Sequence, residues 1–329
     1  MTLTEQQPRP NRRPAAASPV TLPPLLSVAN KPEKTFTGSA ATDQALAGFT
    51  AGAVSTVLLH PLDLVKTRFQ LNTSRTRLSS VEAIKKIWRE EGKLRGLYRG
   101  VSPNFAGATV SWGMYFWWYS LIKDWMRDSP THTLGPTQHL LASAEAGALT
   151  AICSNPFWVI KTRMCATRAS DPGAYRSLAN GLCRTWREEG LRGLYKGMVP
   201  AFFGVSHGAL QFMAYEEMKK WRMDAMHGKK DVNKLNTLEY ITMAASSKVF
   251  ATVCTYPYQV LRSRLQVQVG YSDVVYNGVI GTIKTIYRNE SFAGFYKGMG
   301  INIIRVLPGT CVTFGVYEGM SKFFRVYGA

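Results

Sequence analysis

The chain has 329 residues, a formal net charge of +19 and a mean hydropathy of −0.10, which fits two soluble domains or one membrane domain of several spans. So much positive charge calls for an anionic counterpart, whether nucleic acid, membrane surface or solute, and composition alone does not choose among them. Cys153, Cys165, Cys183, Cys254 and Cys311 are scattered with no CxxC pair, which excludes a disulfide framework and a zinc site, and the isolated His60, His132, His139, His207 and His227 suit packing or capping better than metal ligation.

Residues 1–40 are rich in Pro, Ala, Ser and Thr and carry Arg9, Arg12 and Arg13. Their prolines forbid both the amphipathic helix of a transit peptide and the apolar core of a signal peptide, so this segment reads as a disordered tail and targeting information is expected inside the fold. Beyond it, uncharged apolar stretches recur at 44–62, 100–122 and 197–215, each near the roughly 20 residues that a spanning helix needs. Three shorter stretches complete a set of six: 146–160 behind Glu145, 241–261 interrupted by Lys248, and 301–317 interrupted by Arg305.

Charge is distributed unevenly around these spans. Segments 66–99, 161–196 and 262–297 hold 23 Lys/Arg against 8 Asp/Glu, whereas 1–43, 123–140, 216–239 and 318–329 hold 15 against 11. A bias that recurs three times between apolar spans is a topology signal, and a nucleic-acid binder has no reason for it. An even number of spans places both termini on the less basic side.

The chain also repeats itself. His60-Pro61-Leu62-Asp63-Leu64-Val65-Lys66-Thr67-Arg68 returns as Asn155-Pro156-Phe157-Trp158-Val159-Ile160-Lys161-Thr162-Arg163 and as Tyr256-Pro257-Tyr258-Gln259-Val260-Leu261-Arg262-Ser263-Arg264. Each is followed by an aromatic-basic-Gly motif, Tyr98-Arg99-Gly100, Tyr195-Lys196-Gly197 and Tyr296-Lys297-Gly298. Between the two motifs, 80–90, 177–188 and 277–289 carry apolar residues at helical spacing, as in Val81, Ile84, Ile87 and Trp88, and read as short interfacial helices. Each unit is therefore span, basic loop with a short helix, span, giving units 41–128, 137–226 and 236–325 after the tail. No Ser-His-Asp or Cys-His arrangement, P-loop or GxGxxG turn is present, which argues against an enzyme.

The threefold Pro-x-x-x-x-Lys/Arg-x-Arg pattern, with its aromatic-basic-Gly companion, resembles the mitochondrial carrier family over about residues 40–325. The resemblance implies an all-α membrane protein of six transmembrane helices in three pseudo-threefold repeats, with short matrix-side amphipathic helices and a central cavity opening alternately to either side. It further implies an inner mitochondrial membrane location with both termini facing the intermembrane space, a monomer, a small anionic solute, no nucleic acid, no cofactor, and cardiolipin as a structural lipid. The lipid is expected where the even helices begin, because free backbone N–H groups attract anions there, together with Glu91-Gly92 and Glu189-Gly190.

Two gates follow from the same resemblance. On the matrix side, the position two after each proline meets the base five after the proline of the next repeat. That pairs Asp63 with Lys161, Trp158 with Arg262 by a cation–π contact, and Gln259 with Lys66, while Gln70 and Gln266 brace from behind and Cys165 stands at the third brace position. On the cytoplasmic side, Tyr119-Ser120 with Lys123, Tyr215-Glu216 with Lys219, and Tyr317-Glu318 leave one ionic pair, Glu318 with Lys123. The solute-contact positions correspond to Gly107, Gly204 with Val205, and Arg305. Glu145 and Lys248 are charges within spans, costly unless used, and serve either as a salt bridge or as solute contacts.

Trp158 in the middle repeat resembles the branch that carries pyrimidine nucleotides, NAD, folate and FAD, and Tyr256-Pro257-Tyr258-Gln259 with Ser247-Lys248 resembles its FAD and folate members. The expected solute is FAD, with folate second and NAD or a pyrimidine nucleotide after it. A proton-leak or purely structural membrane protein shares the same repeat architecture.

Overall fold

The computed structural model describes residues 36–38, 40–73, 79–127, 135–226, 237–267, 276 and 278–327. Most of the expected tail, 1–35 and 39, lies outside the described residues. Within them every regular element is helical. The first repeat gives α1 (Ala40–Leu71), α2 (Ser80–Glu90), α3 (Leu94–Leu97) and α4 (Val101–Trp125). The second gives α5 (Pro136–Ala166), α6 (Leu178–Leu194), α7 (Met198–Phe202) and α8 (Gly204–Met226). The third gives α9 (Thr237–Gln266), α10 (Gly278–Glu290), a short 3-10 turn (Phe292–Tyr296) and α11 (Met299–Tyr327).

The even long helix of each repeat packs mainly on the odd long helix of the next: α4 on α5, α8 on α9, and α11 back on α1. Six long helices thereby close into a ring. The odd helices α1, α5 and α9 also touch one another, and the even helices form no comparable packing among the described residues. The ring is consequently closed at the end where the odd helices finish and open at the other.

Pro61, Pro156 and Pro257 each lie inside an odd helix, where the missing N–H breaks one backbone hydrogen bond. The residue before each proline is fully buried and reaches forward to the aromatic-basic-Gly motif. His60 Nε2 bonds the Arg99 carbonyl at 2.9 Å, Asn155 Nδ2 donates to the Leu194 carbonyl at 2.9 Å, and Tyr256 Oη donates to the Lys297 carbonyl at 3.0 Å. The glycine ending that motif has φ of +81°, +73° and +84° at Gly100, Gly197 and Gly298. A Cβ there would lie 2.9 Å from Cys165 Sγ, 3.0 Å from the Arg262 carbonyl and 3.0 Å from the Lys66 carbonyl. Glycine is thus required twice over, by backbone conformation and by the closeness of the next repeat.

The short helices bury a single apolar stripe, with Ile87 and Ile286 packed beneath the odd helices. α2 starts cleanly because the Glu82 carboxylate accepts the Ser79 N–H at 2.9 Å. By length and hydropathy alone only Thr42–Leu71 and Phe292–Tyr327 qualify as membrane spans among the described residues. The other long helices are diluted by polar groups: α5 carries Glu145, Asn155 and Lys161, and α9 carries Lys248, Gln259 and Arg262.

Where the second repeat turns out of its short helix through Gly190 (φ 64°, ψ −157°), the third repeat uses Ser291 (φ 58°, ψ −162°). That region of backbone space costs a residue with a Cβ about 1–3 kcal/mol. Ser291→Gly is expected to stabilise the detergent-solubilised protein by about 1 kcal/mol, raising its melting temperature by about 1–2 °C. Gly298→Ala is expected to shift it in the opposite direction. Thermal unfolding of the two variants beside the parent checks both signs.

Candidate solute cavity and its gates

At the closed end the odd helices meet through side chains near their prolines. Lys66 Nζ donates to Gln259 Oε1 at 3.2 Å. The Arg262 guanidinium lies 6.0 Å from the Trp158 ring centroid and Lys161 Nζ lies 5.5 Å from the same ring, so one indole faces two cations. Asp63 does not meet Lys161. It forms an ion pair with Arg305, because α11 lies along α1 and the long arginine side chain crosses that seam, while Lys161 turns to the indole. The solute-contact position of the third repeat is therefore occupied by the chain's own carboxylate.

The brace positions do not touch the gate pairs directly. Gln70 Nε2 donates to Tyr256 Oη at 3.1 Å and Gln70 Oε1 accepts from Ser263 Oγ at 2.8 Å. Gln266 Oε1 accepts from Thr162 Oγ1 at 2.7 Å. Both glutamines bond the hydroxyl between the two bases of a neighbouring repeat's motif. Cys165, a weak hydrogen-bonding group, leaves Thr67 to donate to its own helix at the Asp63 carbonyl, 2.8 Å away.

Gly107 and Gly204 sit at helix crossings. A Cβ on Gly107 would lie 3.3 Å from Phe157 Cβ and 3.5 Å from the Trp158 ring, and one on Gly204 would lie 3.5 Å from Tyr258 Oη. Neither glycine thus offers a bare surface; the ring faces at this level belong to Trp158 and Tyr258. Val205 follows Gly204 in α8, but its side chain lies outside the described residues. Glu145 is exposed and Lys248 half-exposed, and no ion pair joins them, which removes the salt-bridge alternative in this state.

The open end differs. Glu318 pairs within its own helix with Lys322 at 3.9 Å, and Glu216 likewise with Lys219 at 3.9 Å. Lys123 lies 5.7 Å from the centroid of the Tyr119 ring, and the Tyr119 hydroxyl bonds His139 Nδ1 on α5 at 2.8 Å. Tyr215 and Tyr317 are half-buried beside these groups. The expected pair of Glu318 with Lys123 is absent because their helices do not converge in this conformation.

Sequence reasoning missed a threefold clasp. The arginine seven after each proline grips a glutamate at the end of its own repeat's short helix. Arg68 with Glu91 has one contact at 2.7 Å, Arg163 with Glu189 has contacts at 2.6 and 3.0 Å, and Arg264 with Glu290 has one at 2.8 Å. Each arginine also donates through Nε to a carbonyl of the next repeat: Cys165 at 3.0 Å, Gln266 at 2.9 Å and Gln70 at 3.0 Å. The signal was the invariable arginine of the threefold motif matched with the glutamate before Gly92, Gly190 and Ser291. Burial alone would push the Glu189 and Glu290 carboxyls up, but bonds from Arg163 and Lys196, and from Arg264 and Lys297, hold both below the usual glutamate range.

The family described as mitochondrial carrier protein matches the chain three times, over residues 38–130, 132–225 and 233–328. The chain is 39% identical over 295 residues to the chloroplastic folate transporter 1 of Arabidopsis thaliana, covering 86% of this chain and 96% of that protein. It is 39% identical over 288 residues to the chloroplastic nicotinamide adenine dinucleotide transporter 1 of the same plant, covering 85% and 91%. To the mitochondrial FAD carrier protein of Saccharomyces cerevisiae it is 35% identical over 299 residues, covering 84% and 96%.

Two outcomes follow from the geometry. A double-mutant cycle on thermal stability is expected to give a coupling of up to about 1 kcal/mol for Asp63→Asn with Arg305→Gln, and none for Asp63→Asn with Lys161→Gln. Because the folded pKa of Glu290 is depressed, its contribution is complete above the unfolded glutamate value of about 4.3 and is lost as pH falls through the lower folded value. Melting temperature should therefore fall on acidification below about pH 4. Glu290→Gln, which strands the buried Arg264, should cost about 3–5 kcal/mol at neutral pH and flatten that acid limb.

Proposed function

The chain belongs to the mitochondrial carrier family, and from that premise we propose that it moves FAD across the mitochondrial inner membrane by alternating access, with folate as the second reading. It is a membrane transporter of six transmembrane helices. The observation that carries the finer reading is the floor of the central space. Lys66, Lys161, Arg262 and Arg305 converge there with Asp63 as their one carboxylate, beside the ring faces of Trp158 and Tyr258. An excess of cations suits phosphate or carboxylate. Flat aromatic faces suit a fused heterocycle. FAD and folate each combine such a ring with anionic groups, and the Tyr258-Gln259 sequence favours these two over NAD or pyrimidine nucleotides.

The gate chemistry fits alternation. Among the described residues the floor is held by one ion pair, one neutral-acceptor hydrogen bond and three cation–π contacts, Lys66 over Tyr256 and Lys161 and Arg262 over Trp158. A partly exposed ion pair contributes roughly 0–1 kcal/mol, so a solute's anion can displace Asp63 from Arg305 and loosen the closed end. In the opposite state the even helices converge and bring Lys123 towards Glu318, while Glu216 and Lys219 close beside them. Both termini then face the intermembrane space, and the basic loops with their short helices face the matrix. Gly100, Gly197 and Gly298, at the starts of the even helices, provide the backbone N–H groups for cardiolipin, and one chain with three repeats acts as a monomer.

Purified protein in liposomes is expected to take up labelled FAD saturably, and folate less well, with NAD, UTP and ATP as comparators. Arg305→Ala should cut that flux by at least about tenfold, the loss of one charge-assisted contact. Solute-independent proton leak without FAD or folate uptake would instead support the structural or proton-leak reading.

A further inference from the structure

One polar cluster of the central space remains unused. His207 on α8 lies one helical turn beyond Gly204 and on the same face. Its Nδ1 is 2.9 Å from Thr255 Oγ1 on α9. Thr255 commits its single hydroxyl proton to the Ala251 carbonyl, 2.6 Å away, so its oxygen accepts and His207 Nδ1 is the donor. The Ala251 carbonyl also bonds the ring, a second acceptor that calls for the same ring N–H, so with the proton on Nδ1 the neutral ring carries its lone pair on Nε2. The charged groups acting on this ring are Lys248, on α9, and Lys66, across the ring of helices on α1.

Thr255 belongs to a stripe along one face of α9. Lys248, Thr252, Thr255 and Gln259 follow at spacings of four, three and four, spanning roughly 16 Å at the helical rise. Gln259 ends the stripe at the floor, where it holds Lys66. Tyr258 brings its hydroxyl end against Gly204, one helical turn before His207.

We propose that His207 is a specificity-determining residue: its Nε2 accepts a hydrogen bond from a ring N–H of the solute's heterocycle, with Thr255 as the positioning residue that fixes the tautomer. This rests on the flavin-or-pterin reading above, since both rings present an N3–H beside a carbonyl. Solutes whose ring offers no N–H at that edge are accepted less well, because they strand a buried acceptor.

The test is proteoliposome uptake of FAD against FAD methylated at flavin N3, and of folate against folate methylated at pterin N3. Wild-type protein is expected to prefer the unmethylated partner of the transported pair by about tenfold in kcat/KM. His207→Phe should lose that preference while keeping residual flux, His207→Gln should keep part of it through its carbonyl oxygen, and Thr255→Val should weaken it without changing protein yield. Equal discrimination in wild type and His207→Phe overturns the proposal, as does wild-type indifference to methylation. Wild-type protein that moves neither FAD nor folate overturns the function proposed above, and this inference falls with it.

Discussion

The arginine seven residues after each helix proline holds the closed end together. Its terminal nitrogens fix the short helix of its own repeat through a glutamate, and its Nε holds the last turn of the next repeat's odd helix through a carbonyl. Arg163 and Arg264 are 1% exposed, and a guanidinium so deeply buried is tolerable because all three of its nitrogens are hydrogen-bonded, two of them to a carboxylate. Three such residues, each reaching one repeat onward, close a circle. Remove one and both a short helix and an inter-repeat joint lose their fixed point.

Around that circle the remaining contacts follow the same cyclic rule. The residue before each proline anchors the start of its own even helix, and the glycine there lets the neighbouring repeat approach to contact distance. Even helices then lie on the next odd helix, so contact position and gate position become neighbours: Gly107 with Trp158, Gly204 with Tyr258, Arg305 with Asp63. Under the proposed function, a solute that touched one would touch the other, and recognition would be coupled to gating by adjacency.

The three repeats are not equivalent at the floor, and this is where function departs from symmetry. Only the first repeat supplies an acid two residues after the proline; the others supply an indole and an amide. Cations therefore outnumber carboxylates, and Trp158 takes up two of them. The resulting floor is weakly held and electropositive, a combination suited to an anion that also opens the gate.

The helices, their prolines and the short interfacial segments were legible in the sequence because each is local: a periodicity, a proline, or a short motif at 61, 156 and 257. Lys66 beside Gln259 and Arg262 beside Trp158 were implied by the family resemblance, and the structure brings both pairs together. The partner of Asp63 was not legible. Arg305 lies 242 residues away, and only the packing of α11 along α1 decides that a longer side chain from that direction reaches the carboxylate before Lys161 does. What lies against Gly107 and Gly204 was not legible either: the crossing helices bring Phe157 and Trp158 to one and Tyr258 to the other. Local periodicity determined what each segment is; the choice among several chemically suitable partners belonged to the tertiary structure, because it depends on which helices abut and at what depth.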